Sequence, residues 1–128
     1  MSNKAVGEWM EKAEHDFGVA LHVHQKRAKP WHDIVCFHAH QCAEKYLKAY
    51  LMSTGRPFAK THDLSALLKE VVKGDGTFVL IQDVLKVIGS YAVEVRYPGD
   101  EPDRKEADRA IKAMKEIRTF IRGKLKGI

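Results

Sequence analysis

The sequence predicts an all-α protein, an up-and-down four-helix bundle with one additional short helix. Apolar residues recur at three- and four-residue steps through four long segments, the period of helices that bury one face. The connections between these segments are short and contain Pro or Gly, so neighbouring helices are expected to run antiparallel. At 128 residues the chain has the size of one domain. Residues 1–128 are therefore expected to form a single helical domain.

The first helix is predicted over residues 3–26 and the second from Trp31 or His32 to about residue 53. The first ends before Pro30, because the residue preceding a proline is pushed out of the helical region. Gly55 follows the second helix as a natural C-terminal glycine. The apolar face of the first helix consists of Trp9, Met10, Ala13, Phe17, Ala20 and Leu21, and that of the second of Trp31, Val35, Ala39, Cys42, Tyr46, Ala49 and Tyr50.

A short third helix is predicted to open at residues 61–64, with Thr61 as its N-cap and Asp63 in its first turn. The fourth helix is predicted over residues 78–96. A last helix begins at Asp103, which with Glu106 resembles a capping box, and continues to about residue 124. The residues expected on the inner face of the fourth helix are Leu80, Val84, Val87, Ile88, Tyr91 and Val95.

Composition limits the class of protein and of partner. The chain has 22 Lys and Arg against 17 Asp and Glu, a formal net charge of +5 that leans toward anionic partners. It has no apolar run of membrane-spanning length and no N-terminal h-region, so we expect a cytoplasmic protein without a membrane partner. Cys36 and Cys42 lie six residues apart on one predicted helix, too far for an unstrained disulfide, and are expected to be buried thiols.

A polar stripe borders the apolar arc of the second helix. His38, Gln41, Lys45 and Lys48 form it, at steps of three and four residues. Such a row is either a solvated helix edge with snorkelling side chains or a set of donors that face a groove or a partner. The spacing alone does not choose between these two interpretations.

Three local motifs occur in order along the chain. The second helix contains FHAHQCAEK at residues 37–45 and then Lys48; THDL follows at residues 61–64; and RYP occupies residues 96–98. The stretch AEHDF at residues 13–17 adds a fourth similarity. With this ordered set over nearly its whole length, the sequence resembles the HEPN domain family of small all-helical bundles.

The resemblance implies a homodimer whose partner is a minimal nucleotidyltransferase-like protein, with no cofactor. Some relatives are RNA-cutting toxins of toxin–antitoxin pairs, and others are assigned nucleotide binding. The positions that match the family motifs, and are expected to contact a nucleotide, an RNA or another phosphate ligand, are His38, Gln41, Lys45, Lys48, His62, Asp63, Arg96 and Tyr97.

The RNase branch of the family uses an Arg followed four to six residues later by a His. This chain has no histidine after His62, so Arg96 lacks that partner. The pairs Arg27 with His32 and Arg56 with His62 satisfy the spacing, but they lie in predicted loops and are interpreted as coincidence. Arg96 and His62 remain the catalytic candidates, and no residue is assigned a catalytic role.

Three hypotheses of different classes follow. The first is a dimeric interaction module that pairs with a nucleotidyltransferase and binds a nucleotide, the second a metal-independent RNase, and the third a helical assembly protein. No metal site is predicted, because His22 with His24 and His38 with His40 are i,i+2 pairs that point about 200° apart on a helix.

Two expectations concern where these residues lie in the fold. Five polar side chains are expected to meet in one groove at the ends of the second and fourth helices, namely His38, Gln41, Lys45, His62 and Arg96. The dimer interface is expected to include Ile34, Phe37 and Met52, which lie beside the polar stripe.

Overall fold

The computed structural model of the protein describes residues 3–89, 98–99 and 101–126. Over these ranges the chain forms five α-helices and one 3₁₀ helix and contains no strand, so the all-α prediction is confirmed. The elements are α1 (Asn3–His24), α2 (His32–Thr54), α3 (Leu64–Gly74), the 3₁₀ helix (Gly76–Ile81), α4 (Gln82–Gly89) and α5 (Arg104–Lys124). The part of the fourth helix predicted beyond residue 89, with Tyr91, Val95, Arg96 and Tyr97, lies outside the described residues.

α2 is the central element of the bundle. It contacts α1, α3, α4 and α5, and twelve of its 23 residues are buried. α1 runs antiparallel to α2, since the Trp9 ring near the start of α1 contacts Lys48, whereas Asp16 farther along contacts His38. The side chains of α2 that face its neighbours include Tyr46, which is fully buried. Polar groups on this helix are therefore placed between packed helices.

The helix ends follow the predicted capping chemistry with one exception. Gly55 adopts φ 76° after α2, a left-handed conformation that favours glycine, and its N–H donates to the Met52 carbonyl. Asp103 and Glu106 form the predicted capping box of α5. The exception is α3, whose N-cap is Asp63 and not Thr61. The Asp63 carboxylate accepts from the N–H groups two and three residues on, and the helix begins two residues later than predicted.

The fourth predicted helix differs from the structure at its start. Phe78 to Ile81 belong to a 3₁₀ helix, and the α-helix begins at Gln82. The prediction that Leu80 and Val87 face the core was wrong, because they are 76% and 39% exposed. The buried positions are Phe78, Ile81, Leu85 and Ile88. Three residues per turn place Phe78 and Ile81 on the same side of the 3₁₀ helix. The side that faces the core therefore differs from the one that the apolar pattern predicted.

Two smaller predictions about the first loop also change. α1 ends at His24, two residues before the predicted end. Trp31 is not in the core but 53% exposed, because it sits at the N-cap of α2 with φ 34° and lies outside the helix proper.

Cys36 and Cys42 are free and buried, as predicted. Burial raises the pKa of the Cys42 thiol, so it stays protonated and behaves as a small apolar side chain. Across the described stretches, no helix has the length and apolar character needed to cross a bilayer.

Candidate functional site

The first polar cluster is centred on Asp16 of α1. Its side chain is 9% exposed, and one carboxylate oxygen lies 2.7 Å from His38 Nδ1 while the other accepts from Lys45 Nζ at 2.5 Å. His38 and Lys45 are seven residues apart, so two turns of α2 place them on one face. Two members of the predicted stripe are thus held by a single buried acid from the neighbouring helix.

The second cluster is centred on Glu44 of α2, whose side chain is 3% exposed. Lys48 Nζ donates to one carboxylate oxygen at 2.8 Å, and His62 Nδ1 lies 2.9 Å from the other. Lys48 also lies 5.4 Å from the centre of the Trp9 ring, a cation–π contact with α1. His62, just before α3, is 63% exposed. The cluster therefore links a buried ion pair to a histidine at the surface.

His40 lies against the Glu44 cluster in an unusual state. It is 1% exposed, and among the described residues neither ring nitrogen has a partner with full hydrogen-bond geometry, although the nearby Gln41 side chain acts to raise the pKa of the imidazole. Its Nδ1 is 4.0 Å from the nearer Glu44 oxygen, beyond hydrogen-bond distance. Burial lowers the pKa of His40, although the negative charge of Glu44 partly opposes that change. The imidazole is accordingly neutral at pH 7.

The remaining predicted ligand residues are placed differently. Gln41 is half-buried on the same side of α2, one turn before Lys45. The Asp63 carboxylate is occupied by its role as the N-cap of α3. Arg96 and Tyr97 fall outside the described residues, so the single shared groove stays a prediction. What the structure brings together is one pair of stripe residues at Asp16, and Lys48 with His62 at Glu44.

A third polar contact joins three helices behind these clusters. Arg118 of α5 donates twice to Glu14 of α1, at 2.7 Å each, and Tyr46 of α2 donates to the same carboxylate. Arg122 donates to the Tyr46 hydroxyl at 3.2 Å. The Arg118 guanidinium lowers the pKa of Glu14, and burial together with Glu14 raises the pKa of Tyr46 to about 12. This network fixes the α1–α2 pairing that carries both clusters.

The geometry suits proton exchange or hydrogen bonding at two imidazoles. An ionised carboxylate only accepts hydrogen bonds, so Nδ1 of His38 and of His62 carries the proton in each pair. The other nitrogen, Nε2, is not bonded to a carboxylate among the described residues, and it can accept a ligand hydrogen bond. Lys45 and Lys48 differ from unpaired surface cations, because each is bonded to a carboxylate. No set of three or more His, Cys, Asp or Glu in the described portion is arranged to hold a metal ion.

Sequence reasoning missed the acids that organise these clusters. In the sequence, Asp16 and Glu14 stand out only as part of the AEHDF stretch, Glu44 only within the FHAHQCAEK motif, and His40 only there and beside His38 as an i,i+2 pair. Asp16 and Glu14 have partners on other helices, and Arg118, the partner of Glu14, lies 104 residues away. The local signal that could have indicated these residues is a carboxylate or an imidazole at a position that the helical period assigns to the buried side of its helix.

The family model for the HEPN domain matches residues 6–124. The chain belongs to the HEPN family. The predicted resemblance is confirmed by this match, which spans α1 to the last turn of α5. Comparison with curated proteins gave no significant match.

Solved structures agree with this HEPN assignment. The archaeal HEPN homologue ST0689 is 23% identical, with a TM-score of 0.76 over 94% of this chain and 98% of its own. TT1696 from Thermus thermophilus is 25% identical, with a TM-score of 0.76 over 93% of this chain and 97% of its own. The HEPN domain protein tm0613 from Thermotoga maritima is 21% identical, with a TM-score of 0.58 over 98% of this chain and 97% of its own. The similarity covers the whole HEPN fold from end to end.

Proposed function

We propose that this HEPN protein is a homodimeric interaction module that pairs with a minimal nucleotidyltransferase-like protein. The observation that carries the proposal is an apolar patch at the start of α2. Trp31, Ile34 and Phe37 are 53%, 37% and 39% exposed, beside the Asp16 cluster. Exposed apolar residues grouped on one helix face are typical of an association surface. Met52, the third residue expected there, is half-buried against the core and contributes less.

The dimer is tested by light scattering on Phe37→Ser and Ile34→Ser. Both residues are partly exposed, so the variants are expected to fold and to shift the mass from about twice the 14.5 kDa of one chain toward one chain. Val79→Ser is the matched control, since Val79 is 52% exposed near the opposite end of α2. A wild-type mass of one chain at micromolar concentration would refute the dimer.

The partner is tested by co-expression with a minimal nucleotidyltransferase encoded in the neighbouring reading frame. We expect one stoichiometric complex on size exclusion. Two separately eluting proteins at concentrations well above the micromolar range would contradict the pairing, whatever the mass of the HEPN protein alone.

We infer that the polar side of α2 contacts a nucleotide or another phosphate ligand. Nε2 of His38 and of His62 is free of the carboxylates, and the Gln41 amide lies on the same side of α2. Lys45, Lys48, Asp63, Arg96 and Tyr97 stay predicted ligand residues; the two lysines would act as ion pairs with their acids and not as bare cations. Binding would raise the melting temperature, because a ligand at 100 times its Kd adds about 2.7 kcal/mol.

The ligand is tested by melting the protein with ATP, GTP and AMP. A nucleotide-dependent increase that is reduced in Gln41→Ala but retained in Gln25→Ala, an exposed glutamine after α1, is the expected result. A dimer with no shift for any nucleotide would favour the helical assembly protein.

A metal-independent RNase is the second candidate. The observation that favours it is the pair of carboxylate–histidine contacts, Asp16 with His38 and Glu44 with His62. Such pairs orient an imidazole for general acid–base catalysis. The interaction module is preferred because both lysines beside the histidines are bonded to acids. Among the residues that match the family motifs, this leaves Arg96 as the candidate for the phosphorane charge.

A further inference from the structure

The basic charge of the chain is concentrated on α5. This helix contains eight Lys and Arg against three Asp and Glu, an excess of five that equals the formal net charge of the whole chain. Some of these cations are paired, as Arg118 is with Glu14. Arg109, Lys112 and Lys115 are exposed, and none has an ion-pair partner within the described segments. Over the described part of the chain, α5 therefore presents three exposed cations that no ion pair neutralises.

An apolar groove runs beside these cations. One wall is formed by the 3₁₀ helix and α4, where Leu80 is 76% and Val87 39% exposed. The other wall is α5 from Arg109 to Phe120. Those twelve residues are separated by eleven steps and span about 16 Å at 1.5 Å per residue, close to three turns of a helix. The groove has the length of a short helical segment.

The wall around Leu80 is firmly anchored. Phe78 of the 3₁₀ helix packs between Tyr50 and Phe120, with ring centres 4.6 and 5.1 Å apart. Lys124 lies 5.8 Å from the centre of the Phe78 ring. Because its neighbour Phe78 is fixed in this way, Leu80 is held outward by a rigid element. Its exposure is a property of the fold.

We propose that this groove docks an acidic amphipathic helix of a partner protein. Leu80 and Val87 would pack against the apolar stripe of that helix, and Arg109, Lys112 and Lys115 would pair with carboxylates on its flank. Asp83 and Glu116 also line the groove. The flank of the partner helix is therefore expected to be mainly acidic, with some positions that are not acidic opposite these two carboxylates. A nucleic acid fits less well, because it has no aliphatic stripe to cover Leu80 and Val87.

The proposal is separate from the dimer and the α2 ligand. The groove shares no residue with the Asp16 cluster, the Glu44 cluster or the Trp31–Phe37 patch. Its residues lie on the 3₁₀ helix, α4 and α5, and those of the two clusters and the patch lie on α1, α2 and the loops beside it. Loss of groove binding therefore leaves the proposed function standing, and the reverse also holds.

The test uses the full chain and a designed probe. A fluorescein-labelled peptide of about 14 residues carries leucines at i, i+4, i+7 and i+11 and glutamates on the flanks. Its anisotropy is followed on titration with the protein at about 50 mM and about 300 mM NaCl. We expect binding that weakens at the higher salt. A peptide with lysines in place of the glutamates is expected to bind at least about tenfold more weakly.

Matched variants locate the site. Leu80→Asn and Lys112→Glu are each expected to weaken binding of the acidic peptide about tenfold. Both residues are exposed, so the variants are expected to keep the wild-type melting temperature. Val79→Asn and Lys69→Glu, an exposed valine next to the groove and an exposed lysine on α3, are expected to change binding less than about twofold.

Four results would overturn the proposal. They are no anisotropy change up to about 1 mM protein, equal binding of the lysine peptide, and equal effects of test and control variants. The fourth is a change of occupant. If Leu80→Asn and Lys112→Glu turn a dimer into a monomer, a second copy fills the groove; if Lys112→Glu instead abolishes binding of an RNA oligomer that displaces the peptide, the surface is a nucleic-acid site.

Discussion

Arg118 holds Glu14 through two parallel hydrogen bonds of 2.7 Å, a fork that joins the last helix of the bundle to the first. Tyr46 from α2 donates to the same carboxylate, and the guanidinium lies 4.3 Å from the centre of the Phe17 ring. The Glu14 carboxylate thus connects α1 with α2 and α5. The planar guanidinium suits this position, because it satisfies both carboxylate oxygens while it stacks on an aromatic ring.

Replacing the fork with a point charge is expected to destabilise the protein. Arg118→Lys retains the charge but loses one of the two hydrogen bonds and the stacking, which should cost about 1–2 kcal/mol in the free energy of unfolding. Arg104→Lys is the control, because Arg104 pairs with Asp108 at the surface and should cost under about 0.5 kcal/mol. Urea denaturation measures both. Equal losses would show that the fork is not special.

The same contact predicts how stability depends on acid. Arg118 lowers the pKa of Glu14 from its ordinary value of 4.5. The contribution of Glu14 is therefore complete above pH 4.5 and is lost as the pH falls through its lower folded-state value. Urea midpoints of wild type and Arg118→Met should differ clearly at pH 7 and converge progressively as the pH falls below 4.5. A difference that stays constant with pH would contradict the assignment.

Glu44 is the acid whose removal should cost most. Glu44→Gln leaves the Lys48 ammonium buried without a counter-charge, and breaking a buried pair in this way costs about 3–5 kcal/mol. Glu70→Gln, which breaks the exposed pair with Lys73, should leave the free energy of unfolding almost unchanged. Chemical denaturation compares the two variants. A loss near that of Glu70→Gln would mean that Lys48 reaches solvent without Glu44.

His40 should make the protein sensitive to mild acid. Burial lowers its pKa below 6.5, so the unfolded chain binds a proton that the native protein excludes. Stability from this residue is present above pH 6.5 and falls as the pH drops toward the folded-state pKa. His40→Leu should lose that part of the pH dependence, with little loss of stability at pH 7.5, since among the described residues no partner with full hydrogen-bond geometry faces either ring nitrogen.

Midpoints of urea unfolding between pH 7.5 and 5.5 test this expectation. His15→Leu is the matched control, because the His15 side chain is 72% exposed and should leave the pH dependence unchanged. Parallel curves for wild type and His40→Leu would refute the role of His40.

Local chemistry explains which features the sequence predicted. Gly55, and Asp103 with Glu106, act through backbone groups within a few residues, so their roles are legible in one stretch of chain. The prediction for Leu80 and Val87 was wrong because apolar residues occur on all sides of residues 78–88. The 3₁₀ helix determines which of them face the core, and no characteristic residue pattern marks it in the sequence.

The candidate site was predicted less completely than the fold. The positions of the stripe on α2 followed from the helical period, but the acids that hold it did not. Asp16 reaches His38 and Lys45 across an interhelical contact, and His62 reaches Glu44 from a loop 18 residues away. Such pairings depend on how helices dock, which a helical period does not encode.

The purified protein is expected not to cleave RNA appreciably. Metal-independent cleavage needs a group that takes the 2′-hydroxyl proton, a group that protonates the leaving oxygen, and a cation for the phosphorane charge. His38 and His62 each offer a free Nε2, but each is held by a carboxylate on a different cluster. Lys45 and Lys48 have their charges engaged by Asp16 and Glu44. These residues can bind a phosphate without supplying all three functions.

Gel-based cleavage of a mixed RNA pool, without divalent metal, decides the matter. Wild type, Arg96→Ala and His62→Ala should all leave the RNA intact, and His15→Ala serves as a control for an exposed histidine outside both clusters. Robust cutting by the wild type that either Arg96→Ala or His62→Ala abolishes, while His15→Ala retains it, would replace the interaction module with the RNase. In that case the Glu44–His62 contact becomes the acid–base pair. Glu44→Gln should then lower kcat and leave KM almost unchanged, because the imidazole loses its fixed orientation while the contacts that bind RNA remain.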